Sequence, residues 1–243
     1  MADIVELRGV GFSSGGRPLV EGLSLKFAQG AAVALVGPSG GGKSTVLKLA
    51  AGLYVPCEGE VLFRGRNVAA MGRQEELAFR REAAFVFQDA ALWANQSLFQ
   101  TLELPLRVHF PSMSAAERRE RVEAAAAEVG CRRELGVRPD ALSRGEQKLV
   151  AFARALVCGP GLLFLDEWTE SLDEKSARRL MGIAGRMKAQ GATLIFVSHD
   201  PRVIRGLSDS VLLVSGGGVS MRLAASDISD DGDLASLLEM GAA

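Results

Sequence analysis

Cysteine is scarce in this 243-residue chain, and what there is cannot form a framework. Cys57, Cys131 and Cys158 are odd in number and widely separated, without a C-x-x-C pair, which excludes a disulfide or zinc scaffold and predicts reduced, packed thiols. A basic excess is also missing. Lys plus Arg number 28 against 29 Asp plus Glu, a net charge of -1, so composition gives no support to nucleic acid as a main ligand. No window reaches the 18 apolar residues of a membrane span, and Met1 to Glu6 lacks a basic segment followed by an apolar one. The chain is therefore expected not to cross a bilayer by itself. Internal repeats and low-complexity tracts are absent too, and the length suffices for a full core as one domain or a core with a subdomain.

What is present begins with Gly37-Pro38-Ser39-Gly40-Gly41-Gly42-Lys43-Ser44-Thr45, which fits G-x-x-x-x-G-K-[ST] at every fixed position. The context also fits, with a strand-like run Ala32 to Val36 before it and a helical run after it. Glycines let the backbone turn tightly, so that successive N–H groups and the positive helix end face a polyphosphate. Lys43 then reaches the beta- and gamma-phosphates, the Ser44 hydroxyl joins a magnesium ion, and Thr45 supports them.

In chain order, Ile4 to Val10 and Leu23 to Phe27 alternate apolar and polar about a Gly15-to-Pro18 turn, as antiparallel strands do. Ala31 to Gly37 is continuously apolar, as expected of a strand buried on both faces. Val46 to Ala51 predicts a short helix ending near Gly52, Glu60 to Phe63 a strand, residues 73–81 a helix and Ala84 to Phe87 a strand. From about residue 90 to 141 strand signals disappear. Ser97 to Val108 and Ser114 to Val129 read as helices, the second opened by a Ser114–Glu117 capping box. The run Glu117 to Arg121 reads as a solvated helix face. A helix over 146–157, a strand over 162–165, a helix over 174–190 and a strand over 193–197 restore beta-alpha-beta alternation and imply a mainly parallel sheet. Val211 to Val214 and Val219 to Leu223 form a hairpin about Gly216 to Gly218, and a terminal helix is expected after Asp230 to Gly232.

Leu162 to Leu165 runs directly into Asp166 and Glu167, which places two carboxylates at the carboxyl edge of the sheet, where ligands of alpha/beta folds bind. Asp166 can hold magnesium, and Glu167 can polarise the water that attacks a gamma-phosphate.

These residues, with Leu142-Ser143-Arg144-Gly145-Glu146-Gln147 and the helix Val150 to Leu156 that follows, resemble the ATP-binding subunits of ABC transporters. Gln88 resembles the family's Q-loop glutamine, Ser171-Leu172-Asp173 its D-loop, and His199 in Val197-Ser198-His199-Asp200 its switch histidine. The resemblance covers residues 3–223 and implies a P-loop NTPase core with an N-terminal antiparallel beta subdomain and a helical insertion. As one domain, the core would occupy 1–89 and 142–223, the helical part about 90–141 and a tail 224–243. It further implies ATP and Mg2+ as ligands, with Ser44, Gln88 and Asp166 at the metal and Glu167, His199 and Gln88 serving catalysis. Ser143, Gly145 and Glu146 would close on ATP held by a second copy of the chain.

The implied partners are that second copy and integral membrane permease subunits, with no nucleic acid, at the cytoplasmic face of the inner membrane. Three positions depart from the family's pattern: Arg144 for a signature glycine, Trp168 for the proline after the acid pair, and Ser14 for the aromatic that stacks on adenine. Arg144 is expected to be tolerated, because Ser143 and Gly145 are retained. Phe87-Gln88-Asp89-Ala90-Ala91-Leu92-Trp93 and Leu104-Pro105-Leu106-Arg107-Val108-His109 resemble the ATPases of MCE-type phospholipid transport systems, which implies an MCE-type lipid-binding protein as a further partner. Leu92, Trp93, Leu98 and Phe99 are expected to line an exposed permease groove. Alternatives that the residues leave open are a soluble ABC ATPase of DNA repair or translation, a transporter for another cargo such as lipoprotein release, and, least, a small-molecule kinase.

Overall fold

The computed structural model describes residues 2–227, so the helix expected after Asp230 to Gly232, and the tail beyond residue 227, lie outside the described residues. The alternating opening forms β1 (Asp3–Ser14) and β2 (Arg17–Ala28), a long antiparallel pair. β3 (Ala32–Val36) leads through the phosphate loop into α1 (Lys43–Ala50). Next come β4 (Glu58–Phe63), the two-residue β5 (Arg66–Asn67), α2 (Arg73–Glu82) and β6 (Ala83–Val86). The strand-free stretch then holds α3 (Leu98–His109) and α4 (Ala115–Val129), and α5 (Arg144–Leu156) follows it. β7 (Leu162–Asp166), α6 (Glu174–Ala189), β8 (Thr193–Val197), α7 (Pro201–Leu207) and the hairpin β9 (Ser210–Ser215) and β10 (Gly218–Ala224) complete the described order.

Two sheets result. One has the order β2-β1-β4-β5; the other runs β10-β9-β3-β8-β7-β6, parallel throughout except for the β9–β10 hairpin. The uninterrupted apolar runs of β3, β7 and β8 follow from burial on both sides. Because side chains alternate across a strand, Val33, Leu35, Leu162, Phe164, Ile195 and Val197 share one cluster with α1, β1 and β2, whereas Ala34, Val36, Leu163, Leu165, Leu194 and Phe196 share the other with α3 to α7. The central sheet is thus clamped between the antiparallel sheet and the helices.

Several local expectations change. α5 begins at Arg144 rather than Glu146, because Ser143 caps it: its Oγ accepts from the Glu146 amide at 3.2 Å and its own amide donates to the Glu146 carboxylate at 2.8 Å. The Ser114–Glu117 box predicted from sequence has the same geometry. The Glu117-to-Arg121 face is not wholly solvated, since Arg118 donates to Glu103 at 2.8 Å and bridges α4 to α3. Leu98 is fully buried with Leu102 and Leu106, so it belongs to the core, while Leu92 and Phe99 are half-buried against it. Trp93 remains at 45% exposure. Cys131 and Cys158 pack as expected, but Cys57 is exposed.

Candidate nucleotide site

β3 ends at Val36, and the next residue must turn where nothing but glycine fits. Gly37 has a φ of 142°, and a Cβ there would lie 2.1 Å from the Val214 carbonyl oxygen. Gly42, at φ 96°, starts α1 without any side-chain cap. The amides of Gly40, Gly42, Lys43 and Ser44 find no acceptor among the described residues, and the loop presents them together at a helix N-terminus. Lys43 is 7% exposed and donates to the carbonyls of Gly37 (2.9 Å) and Pro38 (2.8 Å). Burial holds its pKa below the ordinary lysine value, against the opposing pull of Glu167 and Asp166. A buried cation beside free amides suits a polyphosphate anion.

The sheet order sets the second half of the constellation. β8 lies between β3 and β7, so the residues that follow these three strands converge at one edge. The Ser44 hydroxyl donates to Asp166 Oδ1 at 2.8 Å, which brings a hydroxyl and a carboxylate together as hard oxygen ligands. Burial raises the Asp166 pKa while that hydrogen bond opposes the rise. Glu167 has a left-handed backbone (φ 44°) and a carboxylate 3.1 Å from His199 Nε2. Its pKa is pushed up to about 7, mainly by burial and then by the neighbouring Asp166 and Glu170. His199 is shifted down by burial and by Lys43.

Ser143, Arg144 and Gly145 lie elsewhere, at the wall of a cavity of about 640 Å³ shared with Leu172, Asp173 and Arg179. None of the phosphate loop lines that cavity. Within one chain, then, the signature residues and the phosphate loop do not meet.

Comparison with known proteins settles which family carries this arrangement. Residues 20–170 match the ABC transporter family model, well over half of the chain. This chain belongs to the ABC transporter family. Its fold is that of an ABC ATPase cassette: a dimeric post-hydrolysis state of the ATP-binding cassette MJ0796, bound to ADP and Pi, superposes with a TM-score of 0.84 at 30% identity, covering 91% of this chain and 98% of the other. The macrolide export ATP-binding/permease protein MacB of Marinobacter nauticus is 36% identical over 82% of this chain and 31% of its own length. The methionine import ATP-binding protein MetN of Leifsonia xyli is 33% identical over 90% of this chain and 65% of its own length. The chain thus spans about a third of the first relative and about two thirds of the second.

The remaining cassette residues are placed as follows. Gln88, at the end of the β6 edge, donates to Glu170 at 3.2 Å and makes no bond to Ser44 or Asp166. The loop after it runs through two alanines with positive φ, Ala90 (63°) and Ala91 (47°), a strained course for residues with a Cβ. Arg154 holds both carbonyls, at 3.1 and 2.7 Å, and its guanidinium lies over the Trp93 ring. Trp168 is buried and stacks on Phe152, so it is a core residue; its Nε1 has no partner among the described residues. Ser14 is exposed at the β1–β2 turn, and Phe12 is engaged in a parallel stack with Tyr54, centroids 4.9 Å apart. Glu146 is occupied by its capping box and by Arg133 at 2.7 Å. Sequence reasoning missed Lys148 and Glu170, which lie between Gln88 and Glu167; a lysine inside an otherwise apolar helix face was the available signal.

Proposed function

We propose that this cassette binds Mg2+-ATP at the phosphate loop, pairs with a second copy and hydrolyses ATP to drive a separate membrane permease. The observation that carries the reading is the division of the site, with the phosphate loop, its buried Lys43 and the acid pair in one place and Ser143 and Gly145 facing another cavity. A head-to-tail pair of copies brings each signature against the other's phosphate loop and encloses two nucleotides. In each half, Lys43 and the loop amides hold the phosphates, and Ser44, Asp166 and Gln88 would hold the metal. Neutralisation of charge on the phosphates is the chemistry that a bound Mg2+ would supply there. Glu167 orients and deprotonates the attacking water, and His199 steadies Glu167 and the gamma-phosphate. Thr45, Pro38, Ser39 and Gly41 complete the loop, and Glu146 fixes the start of the signature helix.

The permease reading rests on one groove. Phe87, Ala91 and Trp93 from the run Phe87 to Trp93, and Pro105 and His109 from α3, line a single cavity of about 420 Å³ with Arg154. The two runs that resemble MCE-type phospholipid transport ATPases therefore converge at one surface, and phospholipid is the cargo class we propose, with an MCE-type lipid-binding protein among the partners. A location at the cytoplasmic face of the inner membrane follows from this reading. Among the described residues no helix is long and apolar enough to cross a membrane. Trp93→Ala tests the groove: co-purification with membrane partners falls, an anchor of this kind contributing roughly 2 kcal/mol or more, while ATP affinity stays unchanged. Unchanged co-purification places the coupling surface elsewhere, and co-purification with nucleic acid instead favours a DNA-repair or translation ATPase.

A further inference from the structure

Lys148 lies on α5, a turn beyond the signature residues, and is 6% exposed. A lysine seldom goes that deep without dedicated partners. Its Nζ donates to the backbone carbonyl of Glu167 at 2.7 Å and stands 3.8 Å from the Glu170 carboxylate, which in turn accepts from Gln88. The opposite side of the same residue is also fixed, since the Glu167 amide donates to the Val197 carbonyl at 3.1 Å. Both backbone groups of a residue in the left-handed region are thus tied, the amide to β8 and the carbonyl to Lys148 of α5 and, at 3.2 Å, to the Glu170 amide. A backbone held against its preference keeps its side chain aimed only while such ties persist.

We infer that Lys148 is a positioning residue for hydrolysis, holding the Glu167 backbone so that the carboxylate stays beside His199 and the gamma-phosphate position. The inference rests on the reading of Glu167 as the group that activates water. It adds a coupling, because the helix whose first turn would meet the second copy's nucleotide carries, one turn later, the cation that sets Glu167 in its own copy. A filler role alone is a weaker account, because an apolar side chain would pack in α5 without the desolvation of a buried ammonium.

The test compares Lys148→Met, Lys148→Arg and Glu167→Gln in the full chain with Mg2+-ATP. Lys148→Met is expected to lower kcat about ten- to a hundred-fold while equilibrium ATP affinity stays within about twofold, and Lys148→Arg to recover most of that rate. Wild-type kcat in Lys148→Met, or a parallel loss of kcat, ATP affinity and melting temperature that arginine does not rescue, overturns the inference. If the methionine variant fails to fold, Lys148→Gln decides in its place: reduced kcat at unchanged affinity supports the role, and unchanged kcat or joint loss removes it. Wild-type kcat in Glu167→Gln would remove the underlying reading, whereas loss there with full activity in Lys148→Met removes only the positioning role.

Discussion

The phosphate-loop half and the signature half of this cassette are built in opposite ways. In the first, side chains from distant parts of the chain meet around the buried Lys43 and Asp166: Ser44 on Asp166 and His199 beside Glu167, with Lys43 folded onto its own loop. In the second, an exposed motif satisfies itself locally, with Ser143 and Glu146 closing a capping box and Arg133 beside Glu146 holding that carboxyl down to about 2. A buried, preorganised set of charges acts strongly on a bound phosphate, since little water screens it. An exposed helix start does so only when a second surface excludes water from it. The asymmetry is what a site assembled from two copies requires.

The largest way to break this comparison is Lys43→Ala. Charge-assisted hydrogen bonds contribute about 1.5–3 kcal/mol each, so the loss of nucleotide affinity is expected to be roughly ten- to a hundred-fold or more. Isothermal titration with Mg2+-ATP checks it, and unchanged binding contradicts the phosphate-loop assignment. Ser143→Arg attacks the other half: hydrolysis falls to background while the affinity of a single copy for ATP holds within about twofold, because no phosphate-loop residue lines the cavity that Ser143 faces. Arg144→Gly, one residue on, sharpens the point by changing the rate only a few fold, since an exposed arginine swings into solvent. A rise of several orders of magnitude there marks the arginine as inhibitory.

A smaller effect is expected at the base. The exposed hydroxyl of Ser14 offers no stacking face, and Phe12 is committed to Tyr54. Base–aromatic stacking is worth about 1–3 kcal/mol per base in single-stranded nucleic-acid sites, so Ser14→Tyr should tighten ATP binding by up to that amount and alter kcat less. Competition between ATP and GTP before and after the substitution reads it out. Strong ATP preference that tyrosine leaves unmoved assigns the platform to another residue.

The contrast also explains what could be read from the chain alone. The phosphate loop was legible because its glycines and lysine are contiguous, and β3, β7 and β8 because strands buried on both faces are unbroken apolar runs. Asp166 and Glu167 followed from their place at a strand end. Contacts that join remote positions were not legible: Lys148 to the Glu167 carbonyl, Gln88 to Glu170, Arg154 to Ala90 and Ala91. Leu98 was misjudged because its neighbours Leu92 and Trp93 suggested a surface, whereas the 98–102–106 spacing puts it on the inner stripe of α3. α7 went unread, since seven residues carry too little periodicity.

The central claim is that two copies complete one another's sites, and the mass of Glu167→Gln in solution tests it most directly. The amide keeps the shape of the side chain but cannot take a proton from water, so nucleotide binds without turnover. Light scattering with saturating Mg2+-ATP is expected to give twice the 25.7 kDa chain mass, with one ATP retained per chain, and the single-chain mass without nucleotide. A single-chain mass at saturating ATP, or wild-type hydrolysis by the same variant, would contradict the account.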